Sequence, residues 1–307
     1  MKIIIKLFLL ILLCRSALFA NSPGTSGFQF LKMQVGARAA GMAGAFAAVP
    51  ADVHALFYNP AGIADIQKKT ATFSYQDDLL DFNSGFIGYV HPMSHFGNVG
   101  FSVLYRDYGQ FTKTDITGQE LGSFGANSIA FSASYAMIPI ENLFIGGNAK
   151  YIRGAIETFS ADALAADVGI MYRIPMHELV LAAGIFNAGA QLNAFITAKD
   201  ALPLLFRAGV TKKLAHLPLM FALNTYKYND EPWYFALGGE FTVTPAFFLR
   251  FGYNSYGRDL GVDSSKDTLA GASAGIGFLW NNLSVDYSYS SVGALGSLNR
   301  FTLSGQF

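Results

Sequence analysis

The chain of 307 residues carries a single cysteine, Cys14, and it falls within the first twenty residues. If those residues are removed on export, the remaining protein has no disulfide, thiol nucleophile or thiolate metal site. Charge is scarce as well. Only 14% of residues are Asp, Glu, Lys or Arg, where about a quarter is usual for a soluble domain. The basic and acidic counts are equal at 21 each, which argues against general nucleic-acid binding. Beyond the first twenty residues no run of apolar residues approaches the ~18 needed for a spanning helix, so helical insertion is excluded. What remains is a chain with 32 Gly, 28 Phe and 15 Tyr, hydrophobic overall yet without a hydrophobic helix. A membrane β-barrel, a secreted β-sandwich and a solenoid are the candidates.

The opening MKIIIKLFLLILLCRSALFA has the form of a secretory signal peptide at 1–20. Lys2 and Lys6 form a basic start, Ile3 to Cys14 is almost continuously apolar, and Ala20 offers a cleavage position. Lipidation of Cys14 is the rival reading, but Leu13 is a poor fit to the small residue such a site needs. Loss of Lys2, Lys6 and Arg15 with this segment leaves 18 basic against 21 acidic residues.

From about residue 69 the sequence alternates with a period of two. Val99, Phe101, Val103 and Tyr105 interleave with Asn98, Gly100, Ser102 and Leu104, and Phe301, Leu303 and Gly305 with Thr302, Ser304 and Gln306. This is the strand signature. Fourteen strands are predicted, at 69–77, 84–91, 97–106, 127–138, 143–153, 163–174, 178–187, 203–213, 217–227, 232–243, 246–256, 268–279, 282–290 and 297–307. Their connections alternate between short turns and longer, more acidic loops, of which 107–126 is the longest. Even-numbered outer-membrane barrels sort their connections in this way, with short turns at the periplasmic end. Both ends of the strand series then lie on the short-turn side, where the preceding segment is also expected to begin. The large apolar register, including Phe131, Tyr135, Phe251 and Phe278, should face lipid. The opposite register, including Asn148, Lys150, Asp167, Arg173, Arg207, Asn224, Glu240, Arg250 and Asp286, should face inward. The terminal Phe307 resembles the ending read by barrel-insertion machinery.

Residues 34–62, QVGARAAGMAGAFAAVPADVHALFYNPAG, differ from everything after them. Gly36, Gly41 and Gly44 do not have the spacing of a dinucleotide loop, and no P-loop Lys-Ser/Thr follows. Small residues instead allow close backbone approach, and Asn59-Pro60 is a helix-start signal reaching to about Ile66. The expected fold is therefore all-β: a 14-stranded antiparallel transmembrane barrel, 68–307, with a helical hatch formed by 21–67 in its lumen.

The run QVGARAAGMAGAFAAVPADVHALFYNPAGIADI, followed at once by barrel-like strands, resembles the amino-terminal signature of the PorV/PorQ family within the fatty-acid-transporter (FadL-like) superfamily. Asn59, Pro60, Ala61 and Gly62 are its most specific part. The resemblance implies an outer-membrane location in a Gram-negative-type envelope and a hatch motif comprising Gly36, Arg38, Gly41, Gly44 and that quartet. It implies passive transport of hydrophobic, fatty-acid-like compounds or, alternatively, an accessory role in a protein secretion and surface-attachment system. The expected partners are outer-membrane lipid, hydrophobic small molecules or secretion proteins, and the insertion machinery, with no nucleic acid. The 107–126 loop leaves little room for an outer capture platform.

Within a low-dielectric lumen Arg38 needs a carboxylate, with Asp167, Glu240 and Asp286 as candidates. Arg207 and Arg250 are inward, and either meet a substrate carboxylate or complete a structural network. Phe144, Met171, Phe186, Met220, Tyr234 and Phe248 either line an apolar track or pack against Met42, Phe46, Leu56 and Phe57. No catalytic constellation, metal site or cofactor is expected. His91 and His95 lack a third ligand, and no serine is singled out beside a histidine.

Overall fold

The computed structural model describes residues 24–93, 96–262 and 264–307. The expected signal peptide, His95 and Asp263 lie outside the described residues. Fourteen antiparallel strands form one closed barrel, β1 (Thr70–Asp77) pairing with β14 (Ser297–Gln306) to complete the ring. Between them run β2 (Asn83–Pro92), β3 (Asn98–Thr114), β4 (Glu120–Ile140), β5 (Leu143–Ile156), β6 (Phe159–Ile174) and β7 (Leu179–Asn193). Then come β8 (Leu205–Lys213), β9 (Leu219–Tyr228), β10 (Trp233–Thr244), β11 (Phe247–Asn254), β12 (Ala272–Trp280) and β13 (Leu283–Ser291).

Alternation could not by itself say which register faced outward. Burial decides it. Phe73, Phe101, Phe251, Phe278 and Phe301 are each half exposed or more, whereas Asp167, Arg250 and Asp286 are 5% exposed or less. A ring of strands that turns phenylalanines out and charges in has its solvent relationship inverted, and closure leaves no unpaired edge in hydrocarbon. The protein is an outer-membrane barrel.

Two expectations need correction. The stretch 107–126 is mostly sheet rather than loop: β3 and β4 continue as a paired ribbon through Gln110↔Gly125 to Thr114↔Glu120, past a register shift after Asp107. Only 115–119 turns, with the Asp115 carboxylate accepting hydrogen bonds from the Thr117 and Gln119 amides. Gly109, Gly118, Gly122 and Gly125 interrupt the apolar pattern here, which is why alternation did not reveal the extension. Phe111 and Phe124 stack across it at 5.5 Å.

The second correction concerns direction. The amino-terminal segment begins at the long-loop end, not the short-turn end. The Gly27 amide bonds the Ala201 carbonyl, and Ser26 and Lys32 bond Asp230; these partners sit in the β7–β8 and β9–β10 loops. The segment then descends through the ring, and Ile63 and Ile66 reach Asn98 at the opposite end, just before β1. It therefore threads the whole lumen, making most of its backbone hydrogen bonds in short turns and in helices no longer than Pro60–Asp65.

Candidate binding site in the lumen

The segment packs into the inner half of the lumen. Its short helix Ala37–Gly41 lies against β11 to β14, and Pro60–Asp65 against β3 to β6. Backbone contacts this close require glycine on the wall. A Cβ on Gly169 would fall 1.9 Å from the Asn59 Oδ1, on Gly146 2.5 Å from the Pro60 carbonyl carbon, and on Gly252 2.5 Å from that of Met42. Gly36 has φ +77°, and a side chain there would collide with the His54 ring.

Chain that lacks regular helix leaves carbonyls needing donors. Wall asparagines supply them. Asn148 donates to Leu56 O at 2.8 Å, Asn224 to Gly44 O at 3.1 Å, Asn254 to Ala43 O at 3.0 Å, and Asn98 to Ile63 O at 2.6 Å. Asn59 works from the segment's side: it accepts from the Ala61 amide at the start of Pro60–Asp65 and donates to Ala47 O and Ile170 O. That is the physical content of the Asn59-Pro60-Ala61-Gly62 quartet.

Charge ties the segment to the wall. Of its three candidate partners Arg38 takes Glu240, with a two-point contact at 2.6 and 2.8 Å, and adds Asp52 of its own segment at 2.9 Å. Arg250 bonds the same Glu240 at 2.7 Å and Asp286 at 2.6 Å. Asp167 instead pairs with Lys150 at 2.6 Å. On the other side of Asp52 stands His54, whose second ring nitrogen lies 3.2 Å from Ser74 Oγ. A chain of charge-assisted bonds thus runs Asp52, Arg38, Glu240, Arg250, Asp286, the last three buried and Arg38 partly so.

Above this packed region lies a cavity of about 310 Å³. Its floor and sides include Gln29, Met33, Gln34, Gly44 and Tyr58 of the segment, and its walls include Gln76, Arg106, Arg207, Tyr226, Tyr228, Tyr256 and Arg300. Its side toward the loops is held by a clasp in which Lys32 Nζ bonds Asp230 at 2.9 Å and Glu231 at 2.7 Å. Burial raises the affinity of Asp230 for a proton, but hydrogen bonds from Lys32 and from Ser26 outweigh it and hold the carboxyl below its usual value. For Glu231 burial prevails over the Lys32 bond, and its pKa is raised.

The residues expected to contact a ligand are dispersed. Arg250 is fully engaged by carboxylates, whereas Arg207 lines the cavity. Phe144 and Met171 belong to the core around Met42, Phe46 and Leu56, with Met220 and Phe57 packed at its margin. Phe186 packs with Leu205 and Tyr228 near the outer end, Tyr234 donates to Asp259 at 2.6 Å, and Phe248 lies beneath the Arg250 guanidinium. Phe144, Met171 and Met220 thus pack with the segment. Arg300, buried in the cavity wall, was not singled out from sequence, although Phe301 and Leu303 facing out place it inward by alternation. Among the described residues no group of acids and histidines could hold a metal ion.

No protein-family model matches the chain, and no curated protein matches it. Solved structures do. A Pseudomonas aeruginosa FadL homologue superposes with a TM-score of 0.58 over 89% of this chain and 98% of its own, at 13% identity. A deletion mutant of the TodX monoaromatic hydrocarbon channel gives 0.61 over 89% and 99% at 11% identity, and the CymD monoaromatic hydrocarbon channel 0.58 over 89% and 97% at 10%. The fold is that of the FadL-like outer-membrane channels. At such identities the likeness concerns the fold, and it does not single out the PorV/PorQ branch.

Proposed function

We propose that this chain is an outer-membrane channel for passive entry of small hydrophobic or amphiphilic compounds, with residues 21–67 acting as an internal hatch on the barrel 68–307. The observation that carries this reading is the division of the lumen: a loop-side cavity that can receive a molecule, and below it a plug of separate chain rather than of barrel strands. A plug made of short turns has low internal cooperativity, so partial displacement costs less than opening the sheet. The structural neighbours include channels described as carrying monoaromatic hydrocarbons, which agrees in kind with a tyrosine-lined cavity.

The test is permeability. Vesicles holding the chain lacking 34–62 should leak small solutes that the intact protein retains; unchanged permeability would sink the hatch. Movement is tested by a Gly27→Cys/Asp200→Cys pair in a Cys14→Ser background, because a Cβ on Gly27 would lie 2.9 Å from that of Asp200. Oxidation should slow uptake and reduction restore it.

A second reading, an accessory of a protein secretion and surface-attachment system, draws on the occluded inner half and on the β3–β4 ribbon, which offers protein-facing surface outside the membrane. Affinity isolation from the native envelope would recover secretion partners on that reading and a solitary barrel on the first.

A further inference from the structure

We propose that the outer cavity binds the carboxylate of a compact aromatic acid, of which benzoate is the simplest, through Arg207 and Arg300. The inference rests on the channel reading for the route by which such a molecule arrives, and it narrows the class of compound.

Four cationic side chains line the cavity: Lys32, Arg106, Arg207 and Arg300. Two are neutralised on the spot, Lys32 by Asp230 and Glu231, and Arg106 by Asp78 at 2.8 Å. The other two have only neutral acceptors. Arg300, 3% exposed, donates from Nε to Gln76 Oε1 at 2.7 Å and from Nη1 to Ser290 Oγ at 3.1 Å. Arg207 donates to the Tyr58 carbonyl at 3.0 Å and lies over the rings of Tyr58 and Phe186. Among the described residues neither has a carboxylate within ion-pair distance.

Arg250 supplies the contrast. It faces the same lumen, lies away from the cavity, and is held by two carboxylates. Where this barrel uses arginine for structure it provides the counter-ion. A guanidinium stays charged at any physiological pH, and burying it unpaired costs several kcal/mol unless an anion or water compensates. Its planar fork matches a carboxylate. The remainder of the cavity suits a ring: Tyr58, Tyr226, Tyr228 and Tyr256 present aromatic surface, with Met33 and Leu298 beside them. The volume of about 310 Å³ is near the lower end of the ~300–1,000 Å³ typical of small-molecule sites. It admits one or two rings with a headgroup but not an extended long acyl chain. A neutral hydrocarbon would fill the space and leave both guanidiniums without an anion.

Calorimetric titration of the full protein in detergent at neutral pH tests this with benzoate, toluene and inorganic phosphate as probes. Benzoate should bind saturably, and Arg207→Gln and Arg300→Gln should each weaken it by roughly tenfold or more. Arg153→Gln, at an exposed ion pair on β5, should leave it unchanged. Barrel folding of each variant is read from heat-modifiable gel migration; if Arg300→Gln fails to fold, Arg207→Gln and the charge-retaining Arg300→Lys carry the test. Absence of benzoate binding, affinity indifferent to the arginine substitutions, or phosphate binding as tight as benzoate would overturn the proposal. Toluene entering vesicles while benzoate fails to bind would overturn it and leave the channel reading standing. Benzoate binding without transport of either probe would support the site and sink the channel.

Discussion

The two halves of the lumen are built from the same inward register and reach opposite outcomes. In the inner half Arg38, Glu240, Arg250 and Asp286 are paired, and glycines on the wall let the backbone of the segment approach closely. In the outer half the wall carries tyrosines around the cavity, the segment is held through Ser26, Gly27 and Lys32, and two arginines go without carboxylates. Inward polarity in a barrel therefore does not define a pore. What fills the register defines it.

The comparison is broken most severely at Glu240, which serves Arg38 and Arg250 together. Glu240→Gln takes one of two carboxylates from the buried Arg250 and from the partly buried Arg38, and should cost about 3–5 kcal/mol, read as a lower temperature for the folded-to-unfolded gel shift. If stability is unchanged, the inner half is not held by charge. Next comes Gly169→Ala, whose added methyl overlaps Asn59. Overpacking of this kind costs about 1–3 kcal/mol, and because the segment is the softer partner it should also raise vesicle leakage.

The clasp sharpens the contrast from the other side. Lys32→Met should cost about 1–2 kcal/mol locally, seen as faster hydrogen exchange at 24–34 with the inner half still protected. Its pH dependence follows from the two carboxyls. Asp230 is held below its usual value, so its contribution is fully present above the unfolded carboxylate value of about 3.9 and is lost as pH falls through the folded value. Glu231 is raised, so its effect runs the other way: ionising it opposes the fold as pH rises from the unfolded value to the raised one. Protection at 24–34 should thus decline below about pH 4, and Lys32→Met should flatten that decline. The smallest effect belongs to the exposed pair of Arg153 and Asp162; Arg153→Gln should leave the temperature of the gel shift unchanged, because solvent screens an exposed pair.

Much of this molecule was legible in its residues. The period of two located all fourteen strands, because each side chain answers to one of two environments, and a slip of one residue would exchange them. Glu240 as the anchor of Arg38 was among three carboxylates that the same register offered. The β3–β4 ribbon was obscured because Gly109, Gly122 and Gly125 carry no side chain from which to read a face. Arg300 was open to the same arithmetic as Arg207, yet nothing local distinguishes an arginine with a carboxylate across the strand from one without.

Strand number, register and the inward or outward sense of each side chain are consequences of sequence, since they depend on neighbours two residues apart. The direction in which residues 24–66 thread the ring, the pairing of Lys32 with Asp230 some 200 positions away, and the cavity left beside Arg207 and Arg300 are consequences of tertiary structure. They arise only when closure brings β1 against β14 and sets a limited internal volume, in which the segment packs against the wall at one end and borders a cavity at the other.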